Sequence, residues 1–209
     1  MITLGDIELR GRDTTLRALA RGDAAALAAA ASGSREHYRF NPVPNGLDEA
    51  TAYVERALAQ RAAGQRHPFA IECRGRVVGT TSYSEFQPWQ WPPGSGRTAR
   101  DCPDSVEIGY TWLAASAQRT SCNTEAKLLL LTHAFETWSV HSVSFRTDER
   151  NLRSRAAIER LGAVFEGIRR AHMPGADGTV RSSAFYSIVA AEWPAVKERL
   201  SRRLSRDPN

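Results

Sequence analysis

The residues of this chain whose types could do chemistry fall into a few groups. They are three cysteines, five histidines, a polar run from Arg119 to Thr124, and two tryptophans in a proline-rich stretch. Cys73, Cys102 and Cys122 are odd in number and lack a CxxC spacing, which fits a reducing compartment better than a disulfide scaffold. The histidines, at 37, 67, 133, 141 and 172, include no i, i+4 pair and no HExxH motif, so no metal site is expected. The run Arg119 to Thr124 opens the helix with the best start signal in the chain. Successive amides at a helix N-terminus bind anions, and the macrodipole adds about 0.3 to 1 kcal/mol per favourable charge. Within that run Asn123 tolerates a left-handed conformation, whereas Ser121 would pay roughly 1 to 2 kcal/mol for one. A plainer role is open to the same residues, with Asn123 or Thr124 capping a core helix that holds no ligand.

These residues must be positioned by regular elements. Ile7 to Arg10 and Thr15 to Leu19 alternate apolar with polar residues and read as an opening pair of strands. Asp23 stands before an alanine-rich helix from Ala24 to Ala30, with its carboxylate placed to meet unpaired amides, and Gly33 ends the run. A second helix is expected from about Asp48 to Ala63. His67 to Cys73 and Val77 to Ser84 form a hairpin about Arg74-Gly75-Arg76. Phe86 to Ser105 carries four prolines, two glycines, Trp89 and Trp91, and reads as a loop of functional length. Its tryptophans suit the wall of a binding site and a cover for a core edge equally well. Then come a strand from Val106 to Leu113, a helix from Asn123 to Trp138, a strand from Ser142 to Thr147, and a helix from Asn151 to Leu161 closed by Gly162. Strands at Val164 to Ile168 and Phe185 to Val189, joined by a Pro-Gly hairpin region, precede a last helix over roughly Ala191 to Leu204. The order is that of a mixed α/β fold.

Length and composition fit one soluble domain over 1–209, with a core of about 8–190 and a C-terminal helix and tail over 191–209. Apolar runs such as Leu128 to Leu131 are far too short to span a bilayer. The N-terminus shows neither a basic nor an apolar targeting region, so a cytoplasmic location and no membrane partner are expected. The net charge of +5 invites a nucleic-acid reading, but the arginines are spread along the chain among acids, which makes that partner a poor expectation. A basic surface also suits a polyphosphate ligand.

The segments Val106 to Leu113, Gln118 to Asn123 and Thr124 to Lys127 resemble the central strand, loop and helix of the GNAT acetyltransferase superfamily. Gln118, Ser121 and Asn123 align with that family's Q/R-x-x-G-x-G/A loop, which holds the coenzyme A pyrophosphate. Both glycine positions are changed here, so the loop keeps its amides but must adjust its path. Asp148 to Gly167 is similar to the N-x-x-S segment and following glycines of the RimJ/RimL-like branch, which acetylates ribosomal-protein N-termini. Leu16-Arg17-Ala18-Leu19 with Asp23 is similar to the family's opening strand and helix, so the likeness runs from about Leu16 to Val189.

The resemblance implies a mostly antiparallel central sheet with splayed middle strands, flanked by helices. It implies acetyl-CoA as cosubstrate and no metal. It assigns coenzyme binding to Ile108, Gly109, Tyr110, Thr111 and Trp112 on the strand, to Gln118, Arg119, Thr120, Ser121, Cys122, Asn123 and Thr124 in the loop, and to Asn151 and Ser154 beyond it. Ser154 matches a residue that protonates the leaving thiolate; from spacing alone, Asn151 is a helix cap and Ser154 an exposed first-turn residue. Two groups are candidates for the general base, Glu107 at the start of the coenzyme strand and His172 beyond the later strand. Transfer is expected to be direct, because Cys122 lies in the pyrophosphate loop and not where a nucleophile belongs. An α-amine is the expected acceptor, on a peptide or protein, because its pKa of about 7.7 to 8.0 demands less of a base than lysine at about 10.4. The alternatives are a small-molecule amine acceptor and a non-catalytic coenzyme A-binding regulatory module. A homodimer is left open.

Overall fold

The computed structural model describes residues 5–206. The first four residues of the targeting reading, Met1 to Leu4, lie outside the described residues. In chain order the elements are β1 (Leu9–Arg10), β2 (Thr14–Ala18), α1 (Ala24–Ala31), α2 (Gly46–Ala62), β3 (Arg66–Cys73), β4 (Arg76–Gln87) and β5 (Ser105–Leu113). They continue with α3 (Ser121–Thr132), β6 (Ser142–Asp148), α4 (Leu152–Leu161), β7 (Val164–Pro174), β8 (Val180–Val189) and α5 (Trp193–Arg206). All eight strands join one sheet in the order β1-β2-β3-β4-β5-β6-β8-β7. Every neighbouring pair is antiparallel except β5 and β6, which are parallel.

Alternation along the strands sorts side chains onto two faces. Val106 and Ile108 of β5, Val143 and Phe145 of β6, and Ala184, Tyr186 and Ile188 of β8 point into the larger core. That core is closed by Cys122, Ala126 and Leu130 of α3, Ile158 and Leu161 of α4, and Trp193, Val196 and Leu200 of α5. On the other face Leu27, Tyr53, Val54 and Ala57 of α1 and α2 pack against Ala70 and Trp112. None of that second cluster lies on β6, β7 or β8. Strand β3 is covered on both faces, with Phe69, Ala70 and Ile71 all fully buried, which is why its sequence is apolar without alternation.

Several boundaries differ from those the sequence suggests, each for a local reason. Helix α2 begins at Gly46 because the Glu49 carboxylate accepts the amide of Asn45 at 2.8 Å. Helix α3 begins at Ser121, capped by Thr120, whose hydroxyl accepts the Cys122 amide at 3.3 Å; neither Asn123 nor Thr124 is the cap. It gives way after Thr132 to a π turn over His133–Thr137. Asp23 does not cap α1 with its carboxylate, which turns back to hold Arg17 at 2.6 and 2.9 Å and the Ala20 amide at 2.8 Å. Strands β7 and β8 run several residues further than the apolar segments that reveal them, so His172 lies within β7 and not beyond it.

The stretch after β4 is unpaired from Pro88 to Asp104 and is tied down at its far end. Buried Asp104 accepts the Trp89 amide at 2.7 Å and binds Arg100 at 2.9 and 3.2 Å. Trp89 stacks on His141 with ring centroids 4.9 Å apart, Trp91 meets both rings edge-on, and Arg97 lies 4.3 Å over Trp91. Among the described residues, no helix is long and apolar enough to cross a membrane.

Candidate active site

The parallel pair β5 and β6 is in register only at Ser105↔Ser142, Val106↔Val143 and Glu107↔Ser144. Beyond Glu107 the strands part. β5 continues beside β4 to Leu113, and β6 continues beside β8 to Asp148. A gap therefore opens toward the C-terminal ends of both strands, and backbone groups of β5 from Ile108 onward that point away from β4 have no strand partner there.

A bulge in β5 begins where that gap opens. Tyr110 and Thr111 stand opposite the single residue Thr81, and Tyr110 takes φ of 53°. Bulges bend the strand that carries them, which separates β5 from the line of β6. The bulge is held from both faces. On the α2 side Arg66 donates to the Tyr53 hydroxyl at 3.2 Å, that hydroxyl meets Thr80 Oγ1 at 2.7 Å, and Thr80 donates to the Tyr110 carbonyl at 3.3 Å. The Arg66 guanidinium also lies 3.9 Å over the Tyr110 ring. On the α3 side Lys127 Nζ donates to Thr111 Oγ1 at 2.6 Å and to Thr81 Oγ1 at 3.0 Å. Next to the bulge, Gly79 is obligatory because a Cβ there would lie 2.0 Å from the Trp112 carbonyl oxygen.

The sequence gives no sign that Lys127 is buried beside neutral hydroxyls alone, and this burial pushes its ammonium down to about 7. Its folded pKa thus lies below the unfolded value of about 10.4, so the cost is absent at high pH, grows as pH falls through that interval, and is constant below 7. Lys127→Met should therefore stabilise the fold at pH 7 by roughly 1 to 4 kcal/mol, and by less at pH 10, with Thr81 and Thr111 still hydrogen-bonding each other at 2.9 Å. Thermal melts at the two pH values check this; a destabilised variant at pH 7 would contradict it.

Helices α3 and α4 both begin at the open end of the gap, so two positive dipole ends face it. A 3-10 turn at Ala115–Ala117 leads to Gln118, to Arg119 with φ of 63°, and to the cap Thr120. The left-handed residue of this loop is thus Arg119, while Ser121 and Asn123 are helical. Gln118 Nε2 and the Tyr38 hydroxyl both donate to the Leu113 carbonyl at 2.9 Å, and Arg153 of α4 donates to Gln118 Oε1 at 2.7 Å, joining the two sides. Partial burial, then Arg119, then Arg160 disfavour the Arg153 charge, so cations gather at this end without enough acid to offset them. Asn151 caps α4, its side-chain oxygen accepting the Ser154 amide at 3.1 Å, and Ser154 lies in that helix's first turn. Cys122 is fully buried, and its thiol is pushed up to about 12, first by that burial.

At the closed end of the gap, Glu107 is buried with its carboxylate against Gly109; a Cβ on Gly109 would meet Glu107 Oε1 at 3.0 Å. Burial pushes the Glu107 carboxyl up, Arg146 opposes this with Nε 3.2 Å from Oε2, and Glu85 adds to the rise, which leaves the carboxyl at about 7. His172 lies on the same sheet face, with Nδ1 3.0 Å from Ser183 Oγ and its pKa lowered by burial and then by Arg169, Arg146 and Arg181. The structure thus separates the named residues into a group at the two helix starts (Gln118 to Thr124, Asn151, Ser154), the part of β5 beyond its pairing with β6 (Ile108 to Trp112), and a titratable end (Glu107, His172). Among the described residues, no group of three or more His, Cys, Asp or Glu side chains is gathered as a metal site.

Residues 13–164 match the family described as Acetyltransferase (GNAT) domain. A curated protein of Bacillus subtilis (strain 168), named "Putative ribosomal N-acetyltransferase YdaF", is 33% identical over 92 residues, covering 44% of this chain. The chain spans about half the length of that curated relative, 49%. A solved structure described as a "putative acetyltransferase" from T. thermophilus is 32% identical, with 94% of this chain and 96% of that one covered and a TM-score of 0.76. Mycobacterium smegmatis RimJ, solved in complex with CoA-disulfide, shares the fold at 23% identity and a TM-score of 0.73, with 95% and 93% covered. The family match takes in the splayed strands, the bulge and both helix starts that face the gap, and with it this chain belongs to the GNAT acetyltransferase family.

Proposed function

We propose that the chain, acting as one domain in the cytoplasm, transfers an acetyl group directly from acetyl-CoA to the α-amine of a peptide or protein. The observation that carries this reading is a buried carboxyl tuned to about 7 at the vertex of the splayed pair. A base works best with a pKa near the operating pH. Taking a proton from an α-ammonium would cost Glu107 only about 1 kcal/mol, against more than about 4 kcal/mol from a lysine. Glu107 is therefore the proposed base, and His172 a neighbour on the acceptor face.

Acetyl-CoA, when bound, supplies the activated thioester. The amides of the Arg119 to Thr124 run, reinforced by Arg119 and Arg153, suit its pyrophosphate, and the freed amides of Ile108 to Trp112 suit its pantetheine arm and the thioester oxyanion. Asn151 and Ser154 border the same end, and Ser154 is assigned the proton for the departing thiolate. Cys122 does not fit an acyl carrier, since it is buried with a thiol that stays protonated.

A peptide carrying both a free α-amine and an internal lysine tests the reading. Mass spectrometry should place the acetyl group on the α-nitrogen, with converging double-reciprocal lines for the two substrates. Acetylation of the lysine alone, or parallel lines of the ping-pong type, would refute it.

A further inference from the structure

The sheet face that holds Glu107 distributes its ion pairs unevenly, with two carboxylates on each of two arginines and two further arginines outside any pair. Glu85 and Glu107 both pair with Arg146, at 3.1 and 3.2 Å. Asp148 and Asp177 both pair with Arg150, at 2.7 and 3.0 Å. Both oxygens of Asp148 are engaged by Arg150, Oδ1 through Nε and its own amide and Oδ2 through Nη2. Arg181 and Arg169 are left over. Among the described residues neither has a carboxylate within ion-pair distance, and Arg181 makes its hydrogen bond to a neutral group, Ser183 Oγ, at 2.9 Å. That serine also meets His172, and the His172 ring lies 5.4 Å from Phe185, the register partner of Arg146. Arg181 is thus half-buried on the open face, one strand from the Glu107–Arg146 pair, with most of its five donors uncommitted.

Asp148 and Glu107 favour the Arg181 charge from a distance, but no carboxylate meets its planar fork, which matches a carboxylate in two parallel hydrogen bonds. Burial indeed disfavours the charged form of Arg181, an effect that a bound anion would reverse. Arg169 and Arg181, outside any ion pair, would also repel a polycationic amine.

We propose that the acceptor is an acidic peptide N-terminus, with its α-amine at Glu107 and an Asp or Glu of its first few residues held by Arg181, with Arg169 adding to the field. This rests on the reading of the chain as an α-amine acetyltransferase and adds to it the class of sequence acetylated.

The test uses the full chain, acetyl-CoA and three peptides identical but for their second and third residues: Asp and Glu, Asn and Gln, or Lys and Arg. Thiol release should give the acidic peptide a kcat/KM about 10-fold or more above its amide counterpart, seen mainly in KM, as for a charged hydrogen bond gained on binding. Arg181→Gln should bring that ratio close to one, and Arg181→Glu should invert it in favour of the Lys and Arg peptide. Calorimetric titration with acetyl-CoA verifies that each variant is folded. Equal rates for the acidic and amide peptides, or an acidic preference kept in both variants, would overturn the assignment. Transfer to a small amine but to none of the peptides would refute the α-amine reading itself, and this inference with it.

Discussion

Replacing Glu107 by Gln should cost the enzyme about 100- to 10,000-fold in kcat, the usual loss for a positioned base, and should at the same time make the protein more stable. The two effects share one cause. The folded-state pKa of about 7 lies above the unfolded value of about 4.3, so both states are protonated below pH 4 and the carboxyl imposes no cost there. As pH rises through the interval the unfolded chain ionises first, stability falls, and the cost is constant once the folded state has ionised as well. Glu107→Gln removes a cost of up to ~3 kcal/mol above pH 7, while Arg146 keeps Glu85 as its partner. Melting curves should show a higher Tm for the variant at pH 8 and little difference at pH 4. A variant that is slower and also less stable at pH 8 would mean that Glu107 is a structural partner of Arg146 and not a strained base.

Asn123→Asp should separate coenzyme binding from fold stability in a similar way at the other end of the gap. Asn123 lies in the first turn of α3, where a carboxylate favours the helix by about 0.3 to 1 kcal/mol. The same carboxylate would face the proposed pyrophosphate site. Two unit charges at 4 Å repel by about 4 kcal/mol at an effective dielectric of 20, so even after screening by solvent acetyl-CoA should bind at least about 10-fold more weakly. Calorimetry and melting together decide the matter. Unchanged acetyl-CoA affinity would place the pyrophosphate elsewhere.

How far the sequence discloses this arrangement depends on whether neighbours in space are also neighbours in sequence. Strand β5 and helix α3 are legible because Val106 and Ile108 alternate and Ala126 and Leu130 share a face that Ala134 continues into the π turn. The start of α3 is missed because a hydroxyl just ahead of it, Thr120, is as good a cap as Asn123. The outer parts of β7 and β8 are missed because Arg169, Arg170, His172 and Arg181 are polar on strands that lack alternation, one of them at the sheet edge. Glu107 is readable as a candidate base from its place near the start of β5. Its tuning is not, since Arg146, Glu85 and Arg181 reach it from three other strands. Lys127 is hidden for the opposite reason: a lysine in a helix reads as a solvated residue until the sheet beneath it is known.

The dependence of kcat/KM on pH, measured with an α-amine peptide for the native chain and for Glu107→Gln, tests the central claim most directly. The native profile should climb through a group near 7 in the free enzyme and again through the amine near 8, and the variant should keep the second rise and lose the first. The same rise near 7 in both proteins would contradict the account, because the base would then be another group.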